Sequence, residues 1–87
     1  MGTVKIFYSN DCPMCPMAKK LQANLAEKKV NVIGYDVETA DGLAEASFYS
    51  VMSLPTVVVE DGMENGIGEW RGKVPQTEEV LHIVTSL

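Results

Sequence analysis

Strand-forming residues recur in four short segments of the chain. β-Branched and aromatic side chains are enriched in these segments, which predicts strands over 3–9, 31–37, 56–59 and 67–71. The second segment is almost continuously apolar, so it is predicted to be a strand covered on both faces. Asp61-Gly62 and then Asn65-Gly66 separate the last two strands and predict a hairpin turn between them.

Apolar residues at helical spacing fill the stretches between these strands. The first predicted helix runs to about Lys29, and one of its faces carries four apolar residues: Met14, Ala18, Leu21 and Leu25. A short helix is predicted over 41–49, where Asp41-Gly42 opens it. A last helix begins around Pro75 and Thr77 and carries apolar residues as far as Leu87.

The resulting order of elements is β-α-β-α-β-β-α. Two strands joined by a helix imply a parallel crossover, and the last two strands form an antiparallel hairpin. This order predicts an α/β fold with a mixed four-stranded sheet and three helices. The chain has 87 residues and no repeat or linker, which predicts one domain over 1–87.

Composition and charge exclude several classes of partner. Hydrophobic residues make up 46% of the chain and charged residues 22%, which is typical of a folded globular domain. With seven Lys and Arg residues and a net charge of −5, the chain lacks the basic clusters that bind nucleic acid or anionic membrane. No apolar run approaches the roughly 18 residues of a membrane span, and no targeting signal is recognised. A reducing cytoplasm is therefore the expected compartment.

The candidate chemistry is carried by two cysteines, Cys12 and Cys15, where the first strand leads into the first helix. A disulfide scaffold would spread several cysteines along so short a chain, and a bridge between these two closes a very short loop. Residues at i and i+3 of a helix have Cα atoms about 5–6 Å apart, a separation that a disulfide tolerates. The pair is therefore expected to switch between dithiol and disulfide with little backbone motion.

Position on the helix separates the roles of the two cysteines. A thiolate at a helix N-terminus is stabilised by unpaired N–H groups and by the helix dipole, so Cys12 is predicted to be the nucleophile. Cys15, one turn further in and better shielded, is predicted to resolve the mixed disulfide and release the reduced target. Pro13 suits the first helical position. Pro16 predicts either a displaced helix start or a residue that shapes the environment of the Cys15 sulfur.

Two motifs carry a resemblance to a known family. Phe7–Cys15 resembles the opening of the small glutaredoxin-like redoxins of the thioredoxin superfamily, in which a strand, a Tyr-Ser and a C-P-x-C follow one another. The C-P-x-C-P form, with Ala18 and Lys19 behind it, is similar to compact archaeal and anaerobe redoxins. Met52–Thr56 resembles the cis-proline loop of the superfamily. The resemblance implies a thioredoxin-like fold and a dithiol–disulfide oxidoreductase.

The same resemblance assigns residues around the dithiol. It implies a cis peptide bond at Leu54-Pro55, with Pro55 packed beside the thiols, where it bars metal from them. The Leu54 backbone would pair with an extended segment of the target, as in strand addition. Pro13 and Met14 complete the predicted substrate contacts. Met14 and Met17 are expected to form a soft apolar rim, although Met17 suits the core equally well.

Two further segments indicate the reductant and the partners. Gly66–Gly72 matches poorly the Gly-Gly-x-Asp segment with which typical glutaredoxins hold glutathione, so glutathione is not favoured and no other cofactor is expected. Trp70–Pro75 is similar to the W-x-G-x-x-P of redoxins that serve ribonucleotide reductase, or to the R-x-x-G of thioredoxins. Ile6 occupies the strand position where thioredoxins bury an acid. The expected electron donor is a flavoprotein disulfide reductase. The expected targets are protein disulfides, with ribonucleotide reductase among the candidates, and the protein is expected to be a monomer.

Metal binding is the alternative from another class. Small copper chaperones also place a CxxC after their first strand, and nearby methionines are soft ligands, but their order of elements differs. A zinc site needs more ligands than two cysteines, and His82, the single histidine, lies far off in the last helix. A dimer that holds an iron–sulfur cluster through Cys12 and glutathione is the third interpretation.

The remaining side chains of note receive structural interpretations. Trp70, at the end of a strand, is predicted to be half-buried packing rather than a partner surface. His82 is predicted to lie at the surface. Glu60, Asp61 and Glu64 are interpreted as solvated charges of the hairpin turn.

Overall fold

A computed structural model describes residues 2–63 and 65–86 of the chain. The elements follow the predicted order, with these bounds: β1 Thr3–Tyr8, α1 Cys15–Glu27, β2 Asn31–Asp36, α2 Ala40–Phe48, β3 Thr56–Glu60, β4 Gly66–Arg71 and α3 Thr77–Thr85. The predicted α/β fold is confirmed. Glu64 and Leu87, which the sequence placed in the turn and in the last helix, lie outside the described residues. None of the helices in the described ranges is both long and apolar enough to cross a membrane.

The four strands form one mixed sheet in the order β2-β1-β3-β4. β1 runs parallel to β2 and antiparallel to β3, and β3 runs antiparallel to β4. The register places Phe7, near the C-terminal end of β1, opposite Thr56 at the N-terminal end of β3. The turn that follows β1 and the loop that precedes β3 therefore lie at the same end of the sheet.

The two faces of the sheet are packed differently, because successive strand residues point to opposite faces. Beneath α1 and α3 the buried core is wholly apolar and comprises Val4, Ile6, Ala18, Leu21, Leu25, Val57, Val59, Val80 and Val84. Beneath α2 the buried apolar cluster is smaller and comprises Phe7, Ala46 and Val58. Aromatic rings extend this second cluster, and Phe7 stacks on Tyr35 with ring centroids 5.3 Å apart. The larger core thus lies on the face covered by α1, the helix that begins at Cys15.

β2 differs from the prediction of a strand covered on both faces. It contacts both α1 and α2, but each of its residues is half-buried or exposed. The reason is its place at the edge of the sheet, where β1 is its neighbour on one side and the other side is open. The apolar run of β2 reflects contact with two helices rather than a central position.

α1 begins later than the sequence predicts. Met14 is the N-cap residue, and Cys15 and Pro16 open the helix, so Pro13 lies in the preceding turn rather than at the first helical position. A proline is tolerated in the first turn, where its missing N–H has no helical partner to lose. Pro16 thus marks a displaced helix start, and Cys15 is the first residue of the helix instead of lying one turn inside it.

α2 is fixed closely against the end of β2. Its N-cap residue is Thr39, whose hydroxyl accepts the Gly42 N–H at 3.0 Å and donates to the Asp36 carbonyl oxygen at 2.7 Å. A Cβ atom on Gly42 would overlap that same carbonyl oxygen. Glycine at this position is therefore what allows the helix to approach the strand.

A charged cluster lies beneath α2, and the prediction that Glu60 is a solvated turn charge was wrong. β3 extends through Glu60, which is 3% exposed. Its carboxylate lies 3.2 Å from the Lys5 ammonium and accepts the Tyr49 hydroxyl. Lys5 also donates to the Tyr49 oxygen at 2.8 Å and lies 3.6 Å from the Glu45 carboxylate. Burial of Glu60 is tolerated because Lys5 and Tyr49 compensate its charge. We call these four residues the Lys5–Glu60 cluster.

Candidate active site

The dithiol lies in the turn between β1 and α1, at the end of the sheet that also holds the loop before β3. Cys12 and Cys15 are paired as a disulfide, with Cα atoms 5.2 Å apart, as the spacing predicted. The Cys15 N–H donates to the Cys12 carbonyl oxygen at 3.2 Å and closes the turn. This separation lets the pair open and close without rearranging the backbone.

The two cysteines differ in exposure. Cys12 is half-buried in the turn, whereas Cys15 is only 1% exposed. The Ser9 N–H is directed at the Cys15 sulfur, with the nitrogen 3.5 Å from Sγ. An approaching target therefore meets the Cys12 residue before it can reach Cys15.

Backbone donors at the start of α1 are fewer than the sequence argument assumed. Pro13 and Pro16 contribute no N–H, and the Cys15 N–H is already bonded to the Cys12 carbonyl oxygen. The Met14 N–H makes no backbone hydrogen bond within the described part of the chain, and its side chain does not cap the helix. The Met14 N–H and the dipole of α1 can therefore stabilise a thiolate on Cys12.

The loop before β3 supplies the other predicted contacts. The Leu54–Pro55 peptide bond is cis, as the resemblance implied. Pro55 is buried and Leu54 is half-buried. The Thr56 hydroxyl donates to the Ser53 carbonyl oxygen at 2.7 Å, and the Gly72 N–H donates to the Pro55 carbonyl oxygen at 2.8 Å. These bonds hold the loop in place at the dithiol end of the sheet.

Exposed apolar side chains lie on both elements that meet at this end. Pro13 and Met14 are exposed between the cysteines, and Met17 is exposed on α1, so it belongs to the surface and not to the core. Met52, in the loop before Pro55, is 91% exposed. We call Met14, Met17 and Met52 the methionine rim. Flexible thioether side chains of this kind suit partners of varied shape.

Charged side chains steady the chain around the turn. Glu38 accepts the Asn10 N–H at 3.1 Å, two residues before Cys12. The Lys19 ammonium lies 4.9 Å from the centre of the Tyr8 ring, a cation–π contact at the end of β1. Both contacts hold the segment between β1 and Cys12 in place.

Residues away from the dithiol take the structural positions that the sequence predicted. Trp70 is half-buried and packs against the core beneath α1 and α3. His82 is exposed on α3. Within residues 2–63 and 65–86, no group of three or more His, Cys, Asp and Glu side chains is arranged to hold a metal ion.

Sequence reasoning missed residues that act through backbone atoms. Ser9 contacts the Cys15 sulfur through its N–H, while Ser53 and Gly72 fix the loop through a carbonyl and an N–H. Residue type does not reveal such contacts. For Gly72 the sequence held one signal, which is a glycine directly after a predicted strand. The structure gives the reason, because its φ of 74° lies in the left-handed region that favours glycine.

Comparison with known proteins gives consistent results. Residues 2–85 match the model of the family described as Thioredoxin domain. A probable thioredoxin of Archaeoglobus fulgidus is 37% identical over 62 residues, which make up 70% of this chain and 68% of that protein. A thioredoxin of Methanocaldococcus jannaschii is 26% identical over 62 residues, 70% of this chain and 73% of that protein.

Solved structures confirm the fold. Thioredoxin 1 of Thermosipho africanus TCF52B superposes with a TM-score of 0.74 at 21% identity, over 93% of this chain and 89% of that one. The predicted thioredoxin-like fold is therefore correct, and the family match and the archaeal relative confirm the predicted superfamily.

Homology and geometry together define the activity. Thioredoxin relatives and the paired Cys12 and Cys15 identify a dithiol–disulfide oxidoreductase, which acts on protein disulfides and takes electrons from a reductase. The metal-binding and iron–sulfur alternatives are not favoured by these findings. On the match over residues 2–85 and the archaeal relative, the chain belongs to the thioredoxin-domain family.

Proposed function

We propose that Cys12 is the attacking thiolate and Cys15 the resolving thiol of a cycle that reduces protein disulfides. The observation that carries this assignment is the difference in exposure, since Cys12 is half-buried while Cys15 is almost inaccessible. A bulky target can reach the first sulfur but not the second. Cys15 then needs only the short approach that the 5.2 Å Cα separation allows.

The cycle balances in atoms and electrons. The Cys12 thiolate attacks one sulfur of the target disulfide, so a mixed disulfide forms and the other target sulfur leaves as a thiolate. Cys15 loses its proton and attacks the Cys12 sulfur, which releases the second target sulfur and closes the Cys12–Cys15 disulfide. Two electrons have passed to the target, whose two thiolates take up protons from solvent. A reductase dithiol then reverses the exchange and regenerates the carrier.

The loop and the turn are proposed to hold the target during the exchange. The Leu54 backbone lies beside buried Pro55 and pairs with an extended target segment, which is strand addition on a small scale. Pro13 and Met14 contact the residues that flank the target disulfide, because both are exposed between the cysteines. Apolar and flexible contacts at this place suit many sequences.

The electron donor is proposed to be a flavoprotein disulfide reductase rather than glutathione. Glutathione carries two carboxylates and needs a site with positive charge. The cleft of about 390 Å³ beside α1 is lined by both Lys20 and Glu78, whose charges have opposite signs. The positive charge that a carboxylate ligand needs is therefore partly cancelled there. Gly66, Ile67 and Gly68 lie in β4. This placement supports the view that they do not form a glutathione-binding loop.

Finer assignments follow from the same arguments. The carrier is proposed to work as a monomer in a reducing cytoplasm, where a dithiol is kept reduced between turnovers. Ribonucleotide reductase is the candidate target suggested by the segment Trp70–Pro75. Trp70 itself is half-buried against the core, so recognition by this segment is proposed to fall mainly to the exposed residues that follow it.

The test is insulin disulfide reduction with two reducing systems in parallel. One system is NADPH with thioredoxin reductase, and the other is NADPH with glutathione and glutathione reductase. Cys12→Ser should abolish turnover, whereas Cys15→Ser should accumulate a mixed disulfide that mass spectrometry detects after acid quenching. The two variants are matched controls for each other because each removes one sulfur atom.

The outcomes separate the parts of the proposal. Turnover with thioredoxin reductase alone supports the flavoprotein donor, while comparable turnover with glutathione overturns it. A mixed disulfide that accumulates on Cys15 in the Cys12→Ser protein would reverse the two roles. Wild-type activity in both single variants would remove the dithiol mechanism.

A further inference from the structure

The guanidinium of Arg71, on the edge strand β4, binds the C-terminal end of α2. Its Nη1 donates to the Ser50 carbonyl oxygen at 2.9 Å, and its Nη2 donates to the Tyr49 carbonyl oxygen at 3.0 Å. Nη2 also lies 3.1 Å from the carboxylate of Glu69, two residues earlier on the same strand. One side chain thus ties the edge strand β4 to the end of the helix that covers one face of the sheet.

The end of α2 needs such a partner. The helix has no basic residue in its own last turn. Ser50 has a φ of 55°, so the chain leaves the helix there. The Ser50 N–H donates to the Ser47 carbonyl oxygen at 3.1 Å and the Val51 N–H to the Ala46 carbonyl oxygen at 2.8 Å, but the Tyr49 and Ser50 carbonyl oxygens receive no backbone N–H within the described residues. A planar guanidinium presents paired donors to adjacent oxygens, and its charge complements the negative end of the helix dipole.

The chain that leaves this end of α2 is the target-binding loop of the proposed function. Residues 51–54 are all that separate Ser50 from Pro55. The far end of the loop is held by Gly72, whose N–H donates to the Pro55 carbonyl oxygen at 2.8 Å. Arg71 and Gly72 are neighbours in the chain, so two successive residues at the end of β4 hold both ends of the loop.

We infer that Arg71 is a positioning residue for target binding and acts through the carbonyl oxygens of Tyr49 and Ser50. The inference rests on the proposed function of the Leu54–Pro55 loop. Arg71 sets where the loop begins, so its loss displaces the backbone that pairs with an extended target. The cysteines lie on a different element, between β1 and α1, so their reactivity does not depend on Arg71.

Three variants separate this role from a merely structural one. Arg71→Met removes every donor but keeps an apolar stem. Arg71→Lys keeps the charge but lacks the paired planar donors that reach both carbonyls. Glu69→Gln is the matched control, because it removes the ion pair on β4 and leaves both carbonyl contacts in place.

The readout compares two disulfides reduced by the same protein. Insulin carries polypeptide chain on both sides of its disulfides, to which the loop can pair, whereas dithiobis(nitrobenzoic acid) carries none. We expect Arg71→Met to raise KM for insulin about tenfold, Arg71→Lys about threefold and Glu69→Gln less than about twofold, with kcat and the rate on the small disulfide little changed. Hydrogen exchange at residues 51–54 should accelerate in the same order.

Failure of this inference is distinguishable from failure of the proposed function. Wild-type protein that reduces neither disulfide, or a Cys12→Ser protein that reduces both, removes the proposed function itself. Active wild-type protein with an unchanged KM in Arg71→Met overturns the role of Arg71 alone. An equal loss on both disulfides, or an equal effect of Glu69→Gln, also overturns it. If Arg71→Met does not fold, the same comparison is decided by Arg71→Lys.

Discussion

The buried core beneath α1 and α3 is wholly apolar, whereas the face beneath α2 combines aromatic rings with paired charges. The apolar face supports the helix that carries Cys15. The other face carries the Lys5–Glu60 cluster, in which the Glu60 carboxylate is buried and the positions of hydrogen-bond donors and acceptors must match. Apolar packing supplies stability with little directional preference, while a buried polar cluster specifies one arrangement. The dithiol thus depends on the larger apolar core, and the loop proposed to bind the target follows the helix that the polar cluster orients.

The prediction with the largest expected effect compares how much the apolar clusters on the two faces contribute to the free energy of unfolding. Leu25→Ala, in the core beneath α1, should lower the free energy of unfolding by about 3 kcal/mol through lost burial and a cavity. Val58→Ala, beneath α2, should cost about 1.5 kcal/mol for its two methyl groups. Urea unfolding of the oxidised proteins measures both. A cost for Val58→Ala equal to that of Leu25→Ala would show that the two apolar clusters contribute equally.

A second prediction concerns the charges on the α2 face. Lys5→Met leaves the buried Glu60 carboxylate with the Tyr49 hydroxyl as its partner, and should cost about 2 kcal/mol. The double variant Lys5→Met with Glu60→Leu removes both charges and should regain most of that loss. The measurement is again urea unfolding, with each single variant as reference for the double. A double variant as unstable as the sum of its parts would show that the cluster acts through shape rather than charge.

Local spacing explains how much of the molecule could be predicted from the sequence. The strands follow from β-branched runs such as Thr56–Val59, and the dithiol geometry follows from two cysteines three residues apart. The cis bond at Leu54–Pro55 needed the resemblance to a family, because sequence chemistry alone favours trans. The chemical roles of Cys12, Cys15 and the loop residues stay predictions until the variants are measured.

What the sequence could not show depends on partners far apart in the chain. Glu60 follows the predicted strand and precedes a predicted turn, so its residue type indicated solvent, yet the pairing of β1 with β3 brings Lys5 to it. Arg71 likewise reaches the Tyr49 and Ser50 carbonyl oxygens, just after α2, only because the folded sheet brings β4 close to the end of that helix. The late start of α1 has a local cause, since Pro13 and Pro16 both suit a first turn and residue type could not decide between them.

The smallest expected effect is a pH dependence that belongs to the α2 face. Burial lowers the pKa of Lys5, but its bonds to Tyr49 and Glu60 outweigh burial and hold the pKa above the ordinary 10.5. Burial and then the bond to Glu60 raise the pKa of Tyr49 above the ordinary 10.0. Both groups therefore lose their protons at lower pH in the unfolded chain than in the folded one. Their contribution to stability is complete below these ordinary values and is lost as pH rises through the folded pKa values.

The urea midpoint of the oxidised protein should thus stay level from about pH 7 to about pH 9 and fall above about pH 10. The variant with Lys5→Met and Glu60→Leu is the matched control, because it removes one charge of each sign and leaves the net charge at neutral pH unchanged. Its midpoint should fall less over the same range, since the raised pKa of Lys5 is gone and Tyr49 has lost its carboxylate partner. Titration of every other lysine and tyrosine is common to the two proteins and cancels in the comparison. Parallel curves for the two proteins would mean that alkaline loss of stability arises elsewhere, and that the charges beneath α2 orient the helix without making stability depend on pH.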